Sequence, residues 1–200
     1  MNRQQVTPEL NQLARNYSRA FPTHPKLAVD KGWLYGAWIV GHRQKQHYYG
    51  QYPGGFLKRL QAMFPNAKTV LHAFSGMVEK GTFSNAHEYT IDINPHLSPD
   101  IIAKVEDFTS PLRFDLILAD PPYTKDDAAK YGFPPPNKKK CVENLAKHLQ
   151  PSGSLCWLDT FLPPKIPLLL FVGTIAIMQS RNHRVRMLSI FKRSTDEVSI

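Results

Sequence analysis

Residues 114–123 read FDLILADPPY. Residues 116–119 form an apolar run without charge, the pattern of a strand buried on both faces of a parallel sheet. The run stops at Asp120-Pro121-Pro122-Tyr123. Pro121 has no N–H for a sheet ladder, and two prolines in a row hold the backbone extended. An acidic side chain, stiff carbonyls and an aromatic ring therefore follow the carboxyl end of a buried strand. Open α/β sheets bind their ligands there.

The tetrapeptide has a chemical logic. An exocyclic amine on a nucleobase is a poor nucleophile, because its lone pair is delocalised into the ring. The Asp120 carboxylate and the Pro121 carbonyl can each accept one N–H of such an amine. Those bonds draw the nitrogen toward tetrahedral geometry and localise the lone pair. Tyr123 offers a ring face for a base that has left its helix.

On these residues the stretch resembles the catalytic motif of the amino-methyltransferases, the DPPY type acting on N6 of adenine or N4 of cytosine. That family uses S-adenosyl-L-methionine. The resemblance implies that Asp120, Pro121, Pro122 and Tyr123 are catalytic, and it sends the search upstream for a cofactor half. Residues 50–60, GQYPGGFLKRL, resemble the family segment before the first cofactor strand. By that resemblance Gln51, Tyr52 and Pro53 contact the methionine end of the cofactor. Apolar positions 56, 57, 60, 63 and 64 give this segment a helical period.

Residues 68–73, KTVLHA, read as the first core strand, and Phe74-Ser75-Gly76 as a tight turn where the backbone can approach a ligand. The turn resembles the family's Gly-rich cofactor loop. It departs from it twice: His72 stands where the family has an acid, and Val78 where it has a second glycine. Residues 88–92 read as the second strand, ending in Asp92, whose carboxylate can accept ribose hydroxyls. Asp92 and the adjoining Ile93 are assigned to the cofactor. A short third strand over 100–104 leads to Glu106 and Asp107. The resemblance gives one of these acids the adenine amine, and either fits.

Beyond the tetrapeptide, residues 124–136 carry Asp126, Asp127, Tyr131, Gly132 and three consecutive prolines, and are expected to form a lid. Asn137 is placed to cap a helix whose buried stripe is Val142, Leu145, Ala146 and Leu149. Lys138, Lys139 and Lys140 fill its first turn, where positive charge opposes the helix dipole. Phosphate contact would explain that cost, and a solvated basic face fits equally. Residues 154–158 read as a fifth strand. Two more strands, over 171–178 and 185–191, are joined by a short basic connection and so lie antiparallel. Arg181, His183 and Arg184 of that connection are further candidates for nucleic acid.

The N-terminal part is read as an appendage, residues 1–30. Thr7 is its expected N-cap, with Pro8 in the first turn and a helix running to about Ala20. Residues 33–41 are either a strand or a floor beneath the cofactor. Residues 31–193 are taken as the catalytic domain and 194–200 as a loose tail.

Net charge is +9, from 25 Lys and Arg against 16 Asp and Glu, which suggests a polyanionic partner. The two cysteines, Cys141 and Cys156, are too few for a disulfide scaffold and lack metal spacing, so a reducing cytoplasm fits and no metal is expected. The N-terminal residues contain no apolar signal region. The longest apolar stretch, 166–178, is interrupted by Pro167 and Gly173 and falls short of the roughly 20 residues a bilayer needs.

The expected fold is a Rossmann-like class I methyltransferase. Its sheet is mostly parallel and seven-stranded, with an antiparallel last strand and helices on both faces. The expected activity is methyl transfer to an exocyclic amine of a nucleobase, with N6 of adenine in DNA first. The alternatives are an RNA methyltransferase acting on guanine N2 or adenine N6, and a nucleic-acid-binding protein that kept the fold and lost the chemistry. Sequence specificity is expected to be low, or to come from a partner or from residues 1–50.

Overall fold

The computed structural model describes residues 2–41, 52–179 and 185–194. Gln51, Arg181, His183 and Arg184 lie outside them. The strands are β1 (Ala28–Asp30), β2 (Trp33–Val40), β3 (Thr69–Ala73), β4 (His87–Asp92), β5 (Ile101–Ile102), β6 (Phe114–Ala119), β7 (Leu149–Asp159), β8 (Leu169–Gln179) and β9 (Arg186–Arg193). Among the described residues they form one nine-stranded sheet in the order β1-β2-β8-β9-β7-β6-β3-β4-β5. The helices are α1 (Arg3–Ala20), α2 (Phe56–Met63), α3 (Lys125–Lys130) and α4 (Lys138–Lys147). No helix among them is long and apolar enough to cross a membrane.

β5-β4-β3-β6-β7 are parallel to one another, and β9 is antiparallel to both β7 and β8. This is the expected mostly parallel core with its antiparallel last strand. The expected count of seven is corrected to nine. β2 buries Leu34, Trp38 and Val40 and pairs parallel with β8, so residues 33–41 extend the sheet and are no detached floor. Lys31 and Gly32, both at positive φ (46° and 72°), fold β1 back on β2 in a two-residue hairpin.

The two sheet faces carry separate cores. One gathers Leu34, Trp38, Leu116, Leu118, Cys156 and Ile175 with the buried faces of α1 and α2. The other gathers Leu71, Ile91, Phe114, Ile117 and Trp157 with Cys141, Val142, Leu145 and Ala146 of α4. Gly173 is forced by proximity: a Cβ there would lie 2.6 Å from the carbonyl oxygen of Leu34 on the paired strand.

α1 starts earlier than expected. Asn2, not Thr7, is the N-cap, and it forms a capping box with Gln5. Pro8 therefore sits inside the helix, on its exposed face. Burial of Val6 in line with Leu10, Leu13 and Tyr17 draws the extra turn into the helix, and water can serve the carbonyl that Pro8 leaves without a donor. The helix read as an appendage packs these residues into the same core as the sheet. Glu9 adds an ion pair to the buried Lys192 of β9.

Candidate active site

β3 and β6 are neighbours, and from them the chain runs outward to opposite edges of the sheet, so a crevice opens at their carboxyl ends. Two loops meet there. Phe74, after β3, takes φ +58°, and Gly76 takes φ +53°. A bulky residue held in the left-handed region is strained, and such strain concentrates where a loop is shaped for a ligand. Ser75 N–H donates to the Ile91 carbonyl of β4 (3.1 Å), and Asp120 N–H to the Ala73 carbonyl of β3 (3.4 Å). The backbone thus ties the tetrapeptide to the end of β3, where the Gly-rich turn begins.

Asp92 props that turn from the next strand. Its Oδ2 accepts from Gly76 N–H and its Oδ1 from Asn94 N–H, both at 2.9 Å. Each carboxylate oxygen keeps a second lone pair for another donor. The crevice beside these groups is a cavity of about 340 Å³. Phe74, Gly76, Asp92, Ile93, Glu106, Asp120 and Pro122 line it. The segment expected as a lid forms its far wall, through Ala128 of α3, Tyr131, Phe133 and the three prolines that follow. That segment is not all loop: Thr124 caps α3 by accepting from Asp127 N–H at 3.0 Å.

Of the two candidate acids, Glu106 lines the cavity, and its Oε1 accepts from Asn137 N–H (2.8 Å). Asp107 is solvent-exposed and away from the lining. The segment is pinned by a residue that sequence reasoning missed. Asn144 of α4 donates its side-chain N–H groups to the carbonyls of Val105 and Phe108 (3.0 and 2.9 Å). An Asn on a helix reads as a surface residue, so its partners were not legible.

Tyr52 and Pro53 lie on the other side of the Gly-rich turn, lining a second hollow of about 170 Å³ with Ser75. The Tyr52 and Ser75 hydroxyls are both buried and have no hydrogen-bond partner among the described residues. Burying a hydroxyl unpaired is costly, so two such groups beside one turn fit a polar ligand group there. Burial, then the nearby Asp120 charge, pushes the Tyr52 phenol well above its ordinary value.

Tyr123 donates its hydroxyl to Asp120 Oδ1 (2.6 Å). Burial first, and the Asp120 charge second, raise its phenol well above the ordinary value, with Arg186 opposing. It stays a neutral donor at pH 7. The Arg186 guanidinium stands 5.4 Å from the centre of the Tyr123 ring.

The lysine run separates into different roles. Lys138 Nζ lies 2.7 Å from Asp159 Oδ2 and donates to the Tyr123 carbonyl (3.1 Å). Lys139 pairs with Glu143 one turn on (3.9 Å), and Lys140 is exposed. His72, which stands in place of the family's acid, is fully buried with Nε2 2.9 Å from Glu88 Oε2. Glu88 Oε1 accepts from Gly81 and Phe83 N–H (2.7 and 2.9 Å), holding the chain a few residues after Val78, the second departure. Among the described residues no group of three or more His, Cys, Asp or Glu is placed to hold a metal ion.

No protein-family model matches the chain, and no curated protein sequence matches it. Solved structures do resemble it. One is TrmN from Thermus thermophilus, at 14% identity and a TM-score of 0.53, over 72% of this chain and 49% of that one. The chain thus spans about half the length of TrmN. Another is the N-methyltransferase NodS from Bradyrhizobium japonicum WM9, at 15% identity and a TM-score of 0.51, over 68% of this chain and 92% of that one. NodS has also been crystallised with S-adenosyl-L-homocysteine, and that structure matches at 16% identity and the same TM-score of 0.51, over 68% of this chain and 83% of that one. The likeness is one of fold: this chain carries a Rossmann-like sheet similar to the sheets of those structures.

Proposed function

We propose that this chain transfers a methyl group from S-adenosyl-L-methionine to the exocyclic amine of a nucleobase, with N6 of adenine in DNA as the first substrate. One observation carries the reading. Asp120, at the head of the DPPY tetrapeptide, and Asp92, at the end of β4, line the same cavity and are linked through the β3 turn.

The residues present fit the donor. Asp92 has lone pairs for the ribose hydroxyls, Glu106 is the acid that faces the adenine, and the buried Tyr52 and Ser75 hydroxyls await polar groups of the methionine end. When bound, the donor supplies an electrophilic sulfonium methyl. The chain's own work is at the amine. Asp120 and the Pro121 carbonyl each accept a hydrogen bond from one of its two N–H groups, which turns the nitrogen lone pair toward the methyl. Asp120 need not be a strong base, because the nitrogen becomes cationic and acidic as it takes the methyl and then gives up one proton to Asp120 or to water. Pro121 and Pro122 keep the acceptors rigid, and this positioning supplies much of the acceleration. Tyr123 holds Asp120 through its hydroxyl. Exposed Phe161 and Leu162, just after β7 on the same rim, offer apolar surface to unstacked neighbouring bases.

Adenine N6 rather than cytosine N4 is preferred because an acid leads the tetrapeptide, as in the adenine enzymes that it resembles, and DNA is taken as the first substrate. RNA methylation at guanine N2 or adenine N6 stands as the alternative substrate. A second reading rests on a specific observation. With His72 and Val78 in the cofactor loop, residues 74–86 form turns without a helix. A nucleic-acid-binding protein that retained the fold would carry such changes.

A labelled-methyl assay on DNA, RNA and protein pools separates these readings, with cofactor binding followed by calorimetry. Asp120→Ala is expected to abolish transfer and leave cofactor affinity within about threefold. Undiminished turnover in that variant overturns the assignment. Binding of nucleic acid with no cofactor binding at millimolar concentration favours the second reading.

A further inference from the structure

Lys138 is the first residue of α4, where a positive charge opposes the helix dipole. Its side chain, half-buried, folds back toward the end of β7 instead. Nζ lies 2.7 Å from Asp159 Oδ2, and Asp159 is 1% exposed at the end of β7. The same carboxylate also accepts from Trp157 Nε1 (3.2 Å) and from Thr160 N–H (2.7 Å). A buried carboxylate needs its cation, so Lys138 cannot swing out to a phosphate without stranding Asp159. Lys138 has a second contact, and it reaches the site: Nζ donates to the Tyr123 carbonyl at 3.1 Å.

We propose that Lys138, anchored on Asp159, is a positioning residue that clamps the catalytic tetrapeptide. This rests on the methyl-transfer reading above. β7 is hydrogen-bonded beside β6, with Trp157 opposite Ala119, so the anchor is built into the strand next to the one that bears Asp120. Pro121 and Pro122 allow little torsion between Asp120 and Tyr123. Holding the Tyr123 carbonyl therefore sets the Pro121 carbonyl and the Asp120 carboxylate together. Tyr123 is then held at three points: its carbonyl by Lys138, its hydroxyl on Asp120, and its ring beneath Arg186. A lysine used only for folding would need no bond to this carbonyl.

The test is Lys138→Met, with Lys138→Arg as the conservative variant. For Lys138→Met, kcat is expected to fall about 10–100-fold, while KM for nucleic acid and cofactor affinity change less than about twofold. Lys138→Arg should recover part of kcat. Protein labelled with ¹³C at tyrosine carbonyls gives a readout independent of turnover: the Tyr123 signal should shift in Lys138→Met. A raised KM with kcat unchanged and a shallower salt dependence would make Lys138 a phosphate contact and overturn the clamp. Unchanged kcat and KM would overturn it too. If the wild-type protein transfers no methyl to any pool, the functional reading fails by itself. The carbonyl signal then decides the clamp alone, and an unmoved signal defeats it. Should Lys138→Met fail to fold, Lys138→Met with Asp159→Asn removes both charges and is read the same way.

Discussion

Asp92 carries two tasks in one carboxylate. It holds the Gly-rich turn through Gly76 and Asn94, and under the proposed function it also takes the ribose. Asp92→Ala is therefore expected to weaken cofactor binding by at least about tenfold in calorimetry, since hydrogen bonds to a charged group contribute about 1.5–3 kcal/mol. Unaltered affinity would move the donor elsewhere. Glu88 makes a prediction about pH. Burial alone would raise its carboxyl, but hydrogen bonds from His72 and from Gly81 and Phe83 N–H outweigh that and hold it below its ordinary value of 4.5. On acidification the unfolded chain takes up the proton first. The stabilisation is thus full above that ordinary value and drains away as pH falls through the lower folded value. Urea midpoints measured at neutral pH and down through this acid range should show the loss, and Glu88→Gln should flatten it. Asp100, where hydrogen bonds from Lys80 and Thr90 overcome its burial, keeps part of the slope in that variant.

At the scale of elements, α1 tests whether the N-terminal helix is dispensable. Leu10 is fully buried in the cluster that also holds Leu34, Trp38 and Ile175. Leu10→Ala is expected to cost about 2–5 kcal/mol by denaturant unfolding, in one transition with the rest of the chain. An appendage would lose less than about 0.5 kcal/mol, or melt separately. β2 makes a related point. Its aromatic composition, interrupted by Gly36, admits several readings alone. Its alternation of Leu34, Trp38 and Val40 inward against Tyr35 and Ile39 outward becomes decisive only once β8 is beside it. The lysines at the start of α4 were ambiguous for the same reason, because Asp159 lies 21 residues from Lys138.

For the whole molecule, the charge of +9 enters as a prediction about binding. Affinity for nucleic acid should fall at least about tenfold between 50 and 200 mM salt, as phosphate contacts release counterions. Salt-independent binding would remove nucleic acid as the substrate class. Fold and site differ in how much of them could be read beforehand. The strand of residues 114–119, the acid at its end, the turn at Phe74 to Gly76 and the stripe on α4 rest on local patterns: apolar period, proline geometry and capping. Neighbours in sequence suffice for those. Glu106 over Asp107 as the acid lining the cavity, the burial of His72 against Glu88, the clamp on Tyr123 and the place of α1 in the core involve groups brought together by strand register and helix packing. The amino-acid order alone determined a buried strand delivering an acid, two prolines and a tyrosine to the rim at the carboxyl end of the sheet. Which distant side chains hold that rim in shape was decided only by the tertiary fold, because a buried charge or hydroxyl takes its role from partners that only folding brings within hydrogen-bond reach.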